Sequence, residues 1–86
     1  MFQVFARPKP CRIMMLLREP ESVWHLSKLA KGSDTTYVYV TKLMSGLYKE
    51  GVVTIEPKGK KRVVRLTEEG VKIANAIFEL KNMLES

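Results

Sequence analysis

Residues 33–51 read SDTTYVYVTKLMSGLYKEG, and the fold follows from how this stretch is read. Val40, Leu43, Met44 and Leu47 recur at i, i+3, i+4 and i+7, which gives a helix one apolar face. Asp34, Thr35 or Thr36 can cap its start, because a short side-chain oxygen accepts an unpaired N–H of the first turn. Gly51 follows the last apolar position, where a chain leaving a helix commonly needs a left-handed residue. On the opposite face stand Val38, Lys42, Ser45 and Lys49, with Thr41 beside them and Tyr37 and Tyr39 on the flanks. A solvated helix face is normally rich in Glu, Lys and Gln, yet this one carries no acid before Glu50. Hydroxyls, aromatic rings, a lysine and an outward valine suit base edges, thymine methyls and phosphates. The plainer alternative is a core helix with a mildly polar back, and the neighbouring segments decide between them.

Beyond Gly51 the apolar period shortens from about 3.6 to about 2. VVTIE (52–56) and RVVRL (62–66) are rich in β-branched residues and read as two strands, joined by the turn PKGKK (57–61). Lys58, Lys60, Lys61, Arg62 and Arg65 give this hairpin five cations in eight positions, with no acid among them. Lysine on a strand edge can serve only to deter aggregation. This density goes past that need and points to phosphate or minor-groove contact.

Upstream, HLSKLAK (25–31) reads as a brief helix with Leu26, Leu29 and Ala30 on its core side, preceded by one strand-like step at Val23 and Trp24. His25 stands at its mouth as a capping or surface residue, a phosphate contact being the alternative. One His and one Cys cannot assemble the three or four ligands zinc requires, so no metal site is expected. A first helix is expected to open at Pro10, carry Ile13, Met14, Leu16 and Leu17 inward, and stop near Glu19 ahead of Pro20. Cys11 near its start reads as a structural cysteine, since nothing marks a resolving partner for redox chemistry. In residues 1–9, Pro8 with Pro10 predicts an extended arm, whose Phe2, Val4 and Phe5 dock on the body or on a partner subunit, a frayed end being the alternative.

Thr67 opens a last helix that runs to about Leu84, with Glu68 and Glu69 favouring its N-terminal dipole. Gly70 stands where a capping box would place Glu. Two apolar seams follow: Ile73, Ile77, Leu80 and Leu84, and beside them Val71, Ala74 and Phe78. One seam suffices to cover a small core. The other points to a second copy of the chain, so a homodimer interface is expected at Ile73, Ile77, Leu80 and Leu84, joined by Phe2 and Phe5. Folding of both seams onto the chain's own core is the alternative.

Composition bounds the rest. Eighty-six residues make one small domain, divided as arm 1–9, body 10–66 and C-terminal helix 67–86. Residues 1–65 carry thirteen Lys or Arg against five acids, whereas residues 66–86 carry two against four. A polyanion partner for the first part follows. No apolar run approaches the roughly 18 residues of a membrane span. The N-terminus lacks a secretory pattern and the single cysteine fits a reducing cytoplasm, so a cytoplasmic, nucleoid-associated protein is expected. No Ser–His–Asp set, Gly-rich phosphate loop or carboxylate cluster supports catalysis, and no cofactor is implied.

The order helix, short helix, helix, basic hairpin, helix resembles the winged helix-turn-helix domain, in particular MarR-type and related small archaeal and bacterial transcription regulators. HLSKLA matches the second helix, VTKLMSGLYKEGVVTIE the recognition helix leading into the wing, and KKRVVRLTEEG a strand followed by the L-T-x-x-G signature. The resemblance covers about residues 12–75 and does not separate the MarR, PadR, ArsR and TrmB-like groups. It implies an α+β fold: a three-helix core, a two- to three-stranded wing and a long C-terminal helix. It also implies that Thr36 caps the recognition helix and that Tyr37, Val38, Tyr39, Thr41, Lys42 and Ser45 face the major groove. Lys58, Lys60, Lys61 and Arg62 then form the wing, on the backbone or minor groove. The D-x-R motif usual in such wings is replaced here by glycine and lysines. The function implied is a homodimeric regulator of transcription bound to double-stranded DNA. An architectural chromatin protein with little sequence preference and a winged-helix protein-interaction module are the alternatives.

Overall fold

The computed structural model describes residues 2–19 and 22–85. Helices α1 (Phe2–Phe5) and α2 (Pro8–Leu17) precede a short strand β1 (Trp24–His25). Helices α3 (Leu26–Gly32) and α4 (Tyr37–Lys49) follow, then the hairpin β2 (Val53–Lys58) and β3 (Lys61–Leu66), then α5 (Glu68–Glu85). The fold class is α+β, as expected, and the sheet is antiparallel in the order β1-β3-β2.

The N-terminal segment departs from expectation. It is not extended: Phe2–Phe5 forms a turn of helix, and α2 starts at Pro8 rather than Pro10. Two prolines fit this first turn because the leading N–H groups of any helix lack partners, so neither ring removes a bond. Arg7 takes the extended conformation (φ −101°, ψ 147°) that a following proline favours. The Cys11 thiol donates to the Phe5 carbonyl (2.8 Å) and so ties α1 to α2. Burial raises its pKa, which suits a structural rather than a reactive cysteine. Phe5, half-buried, packs against the protein's own core. The Phe2 side chain and the helix-ending role of Pro20 lie outside the described residues.

The α3–α4 pair is set by its caps. His25 Nδ1 accepts the Lys28 N–H at the start of α3 (3.2 Å), and Thr36 Oγ1 accepts the Tyr39 N–H at the start of α4 (3.1 Å). Asp34, one of three candidate caps, instead takes the left-handed conformation (φ 56°) that ends α3. The Thr35 N–H reaches the Ala30 carbonyl (2.9 Å) and the Asp34 N–H the Lys31 carbonyl (3.3 Å), the two bonds of a Schellman motif. Buried Ser33 donates to the Leu29 carbonyl (2.6 Å), and Arg12 from α2 bonds the Ser33 carbonyl (3.1 Å), fixing the turn from both sides. Helix α4 ends the same way at Gly51 (φ 77°), with Val52 N–H on the Leu47 carbonyl (2.9 Å) and Gly51 N–H on that of Tyr48 (3.1 Å).

The core gathers Ile13 and Met14 of α2, Leu29 of α3, Val40 and Met44 of α4, Val52, Val53 and Val64 of the hairpin, and Ala74 of α5. Ile73 and Ile77 pack against it half-buried, while Leu80 (55% exposed) and Leu84 (77% exposed) run beyond it. Arg18 binds α2 to α5 by lying over the Phe78 ring (4.0 Å) and donating from Nε to Asn75 Oδ1 (2.8 Å). The two seams of α5 therefore do not divide into an inner and an outer one. The division runs along the helix, with its first half on the core and its second half uncovered.

The start of α5 explains why glycine displaces the expected Glu at position 70. The Val52 carbonyl accepts the Thr67 N–H (3.0 Å) and the Gly51 carbonyl accepts the Thr67 hydroxyl (2.6 Å), while Thr67 Oγ1 caps the Gly70 N–H (3.1 Å). A methyl on Gly70 would overlap the Val52 oxygen. No rotamer relieves a clash with backbone. Gly70→Ala is expected to destabilise the fold by at least about 2 kcal/mol in urea unfolding. Gly46→Ala is the contrasting control: nothing lies within 4 Å of its added methyl, so relief of helical glycine should raise stability by about 0.5–1 kcal/mol.

Candidate nucleic-acid interface

The outward face of α4 exists because Val40, Met44 and Leu47 turn its other face into the core. Val38 is 63% exposed, and Tyr37, Lys42 and Ser45 are exposed with it. Tyr39 and Thr41, expected on this face, are half-buried. Tyr39 packs on the core, with the Lys9 ammonium over its ring (5.7 Å), and the Thr41 hydroxyl is spent on the Tyr37 carbonyl (2.8 Å). Four of the six candidates thus share one open surface. Tyr48, 56% exposed and three residues past Ser45, belongs to that surface too. Helical spacing could have found it.

The wing is the part of the β2–β3 ribbon that outruns β1, which pairs only through Trp24↔Val64 and His25↔Val63. Lys58 pairs with Lys61 across a two-residue turn whose Gly59 has φ 62° and whose Lys60 does not, the pattern of a type II′ turn. Pro57, opposite Arg62, is tolerated because β2 is an edge strand. Lys58, Lys60, Lys61 and Arg62 are all exposed. Like charges directly opposite on a ribbon repel. Lys58 and Lys61 face one another in this way, so the wing tip holds positive potential close together.

Helix α4 and the wing adjoin along two concavities. One, at the N-terminal end of α4, is lined by His25, Ser27, Tyr37, Lys60, Lys61 and Arg62. The other is lined by Ser45, Tyr48 and Lys49 of α4 with Ile55, Pro57 and Arg62 of the hairpin. No acidic side chain lines either. Among the described residues both ion pairs, Glu69–Lys72 and Lys81–Glu85, lie on α5, away from these cations. Arg65, counted with the wing by sequence, lines a different hollow with Arg18, Trp24 and Asn75.

His25 enters this surface from β1, a placement that sequence order alone conceals. Its imidazole pKa is lowered by partial desolvation and then by the positive charges of Lys61 and Lys28. Lys28 is held in place by the Val23 carbonyl (3.3 Å) and the Trp24 ring (4.7 Å). No group of three His, Cys, Asp or Glu among the described residues could hold a metal ion, and no described helix is long and apolar enough to cross a membrane.

No protein-family model matches the chain, and no curated protein matches its sequence. Solved structures do resemble it. The Archaeoglobus fulgidus protein AF1382 superimposes with a TM-score of 0.88 at 22% identity, over 93% of this chain and 91% of that one. SPO1453, a MarR family transcriptional regulator of Silicibacter pomeroyi, gives a TM-score of 0.79 at 23% identity, over 98% of this chain. The chain spans only 62% of that regulator's length. Sso10a-2, a DNA-binding protein of Sulfolobus solfataricus, gives 0.71 at 25% identity, over 87% of this chain and 80% of that one. With two capped helices, a three-stranded sheet ending in a basic ribbon, and a long last helix, the chain has the winged helix-turn-helix fold that these structures share.

Proposed function

We propose that the protein is a double-stranded DNA-binding regulator of transcription that acts as a homodimer and resides with the nucleoid in the cytoplasm. The observation that carries this reading is the pair of acid-free concavities, both lined by Arg62, between α4 and the wing. Tyr37, Val38, Lys42, Ser45 and Tyr48 enter the major groove, where a valine meets thymine methyls and hydroxyl or ammonium groups meet base edges. Lys58, Lys60, Lys61 and Arg62 contact backbone phosphates or the adjacent minor groove, and release of counterions supplies most of the affinity. The repulsion between Lys58 and Lys61 is relieved when phosphate stands between them. The fold likeness to a MarR family regulator and to a DNA-binding protein supports the same reading.

The second copy docks on α5. Leu80 and Leu84 continue an apolar groove that Pro8, Cys11, Met15 and Ile77 line between α2 and α5. Two such copies would set their α4 helices about 34 Å apart, one turn of duplex. An architectural, sequence-indifferent binder is the rival reading, favoured by the lysine-rich wing.

Selection from a random duplex pool at two salt concentrations separates them. An enriched inverted repeat with half-sites about 10 bp apart supports the regulator, and tight, salt-sensitive binding without enrichment supports the architectural protein. Lys60→Ala with Lys61→Ala should weaken all duplexes alike and lower the log–log salt slope by about 0.9 for each phosphate no longer neutralised. Val38→Ala or Lys42→Ala should change which duplexes are preferred. An unaltered slope in the wing variant would remove the wing from the interface. Leu80→Lys with Leu84→Lys should leave a folded monomer in sedimentation equilibrium, and a dimer surviving this change would place the interface elsewhere.

A further inference from the structure

The concavity between the start of α3 and the wing has the chemistry of a single anion seat. It is small, about 100 Å³, and its polar lining of His25, Ser27, Tyr37, Lys60, Lys61 and Arg62 can donate hydrogen bonds from every side chain. These donors arrive from β1, α3, α4, the wing turn and β3, so the short α3 contributes side chains rather than its end. We propose that this concavity seats one backbone phosphate of bound DNA and that His25 is its proton-linked donor; the inference rests on the DNA-binding reading above.

The ring is prepared for that role by its neighbours. Nδ1 accepts the Lys28 N–H (3.2 Å), which leaves the proton of the neutral ring on Nε2, the N–H that remains to offer a ligand. Ser27 Oγ lies 3.0 Å from Nδ1. A hydroxyl can either donate or accept, so Ser27 can serve as acceptor for Nδ1–H once the ring is charged and Nδ1 no longer accepts the Lys28 N–H. The charged groups around it are Lys28 of α3 and Lys60, Lys61 and Arg62 of the wing, with the Tyr37 phenol from α4. All of these cations oppose protonation. A seated phosphate reverses the local field and raises the imidazole pKa above its free-protein value, so binding takes up a proton. Affinity therefore rises as pH falls through the histidine range. His25 is the sole histidine of the chain, so no other side chain has its ordinary pKa in that window.

The test measures binding of one fixed duplex to the full chain by fluorescence anisotropy, at constant ionic strength, at about pH 5.5 and about pH 7.5. Each unit by which phosphate raises the pKa is worth tenfold in affinity below both values, so binding should tighten about three- to tenfold at the lower pH. His25→Asn keeps an oxygen to cap Lys28 and cannot titrate, and its affinity should be the same at both pH values. The ring pKa of the unaltered protein, followed by NMR, should rise on adding the duplex, a readout that needs no variant. A pH dependence retained in His25→Asn, or a ring pKa unmoved by DNA, would overturn the phosphate seat while leaving DNA binding intact. Failure of the unaltered protein to bind duplex at either pH would overturn the DNA reading and this one with it.

Discussion

The arrangement of this protein depends on one peptide carbonyl. Val52 leaves α4 immediately after the left-handed Gly51, and its oxygen receives the backbone proton of Thr67 while Gly70 lies against it without a side chain; the Thr67 hydroxyl bonds the adjoining Gly51 carbonyl (2.6 Å). The end of the helix that faces outward and the start of the helix that runs away from it are thereby joined at a single point. The hairpin between them closes on the same place, since Val53 pairs with Leu66. The connections between α4, the hairpin and α5 thus meet within a few residues of one another. Local bonds of this kind are modest singly, about 1 kcal/mol each, but a carbonyl buried without them would cost more than any one contributes. The close approach, rather than helix propensity, is what requires glycine in the middle of a capping sequence.

Charge is distributed against stability on one side of the molecule and in favour of it on the other. On α5, Glu68 and Glu69 in the first turn follow the helix dipole, and the pairs Glu69–Lys72 and Lys81–Glu85 follow the spacing of helical neighbours. On the wing, Lys58 faces Lys61 and Arg62 faces Pro57, so no cross-strand pair at the tip has a compensating acid. A fold selected for its own stability alone would place Glu or Thr at one of those positions. The proposed DNA partner would bring the negative charge that these cross-strand pairs lack.

The parts legible in the sequence were those where several local signals agree. For α4, the apolar stripe, Thr36 and Gly51 all specify the same helix, and the change of period at Val52 announces the hairpin. What escaped was decided by contacts distant in sequence. The helical turn at Phe2–Phe5 depends on a carbonyl held by Cys11 and on packing of Phe5 against the core, neither of which a run with two prolines discloses. Tyr39 and Thr41 lie near the boundary of the helical face, and their withdrawal follows from a core contact and a backbone carbonyl within reach. His25 joins the wing only because β1 pairs with β3, a register that two residues of strand cannot reveal in advance. Gly70 was visible as an imperfection in a capping box, and its reason, the Val52 carbonyl, lies on the far side of the hairpin.

The same geometry bears on the two surfaces of the proposed function. Helix α5 is about 27 Å long at 1.5 Å per residue, and the molecule extends 42 Å along its longest axis against 26 and 25 Å across. Ala74, Ile73 and Ile77 are all that a core of this size needs from the helix, so the turns beyond them add length without adding to the core. Those turns carry Leu80 and Leu84 among Glu79, Lys81 and Glu85, with no excess of positive charge. A surface for a polyanion and a surface for a second copy must not compete, because cations crowded into a dimer interface would repel across a two-fold axis. With the exposed cations of the wing beside α4 and the spare apolar length on α5, the two surfaces of the proposed function would lie on different elements of a single domain.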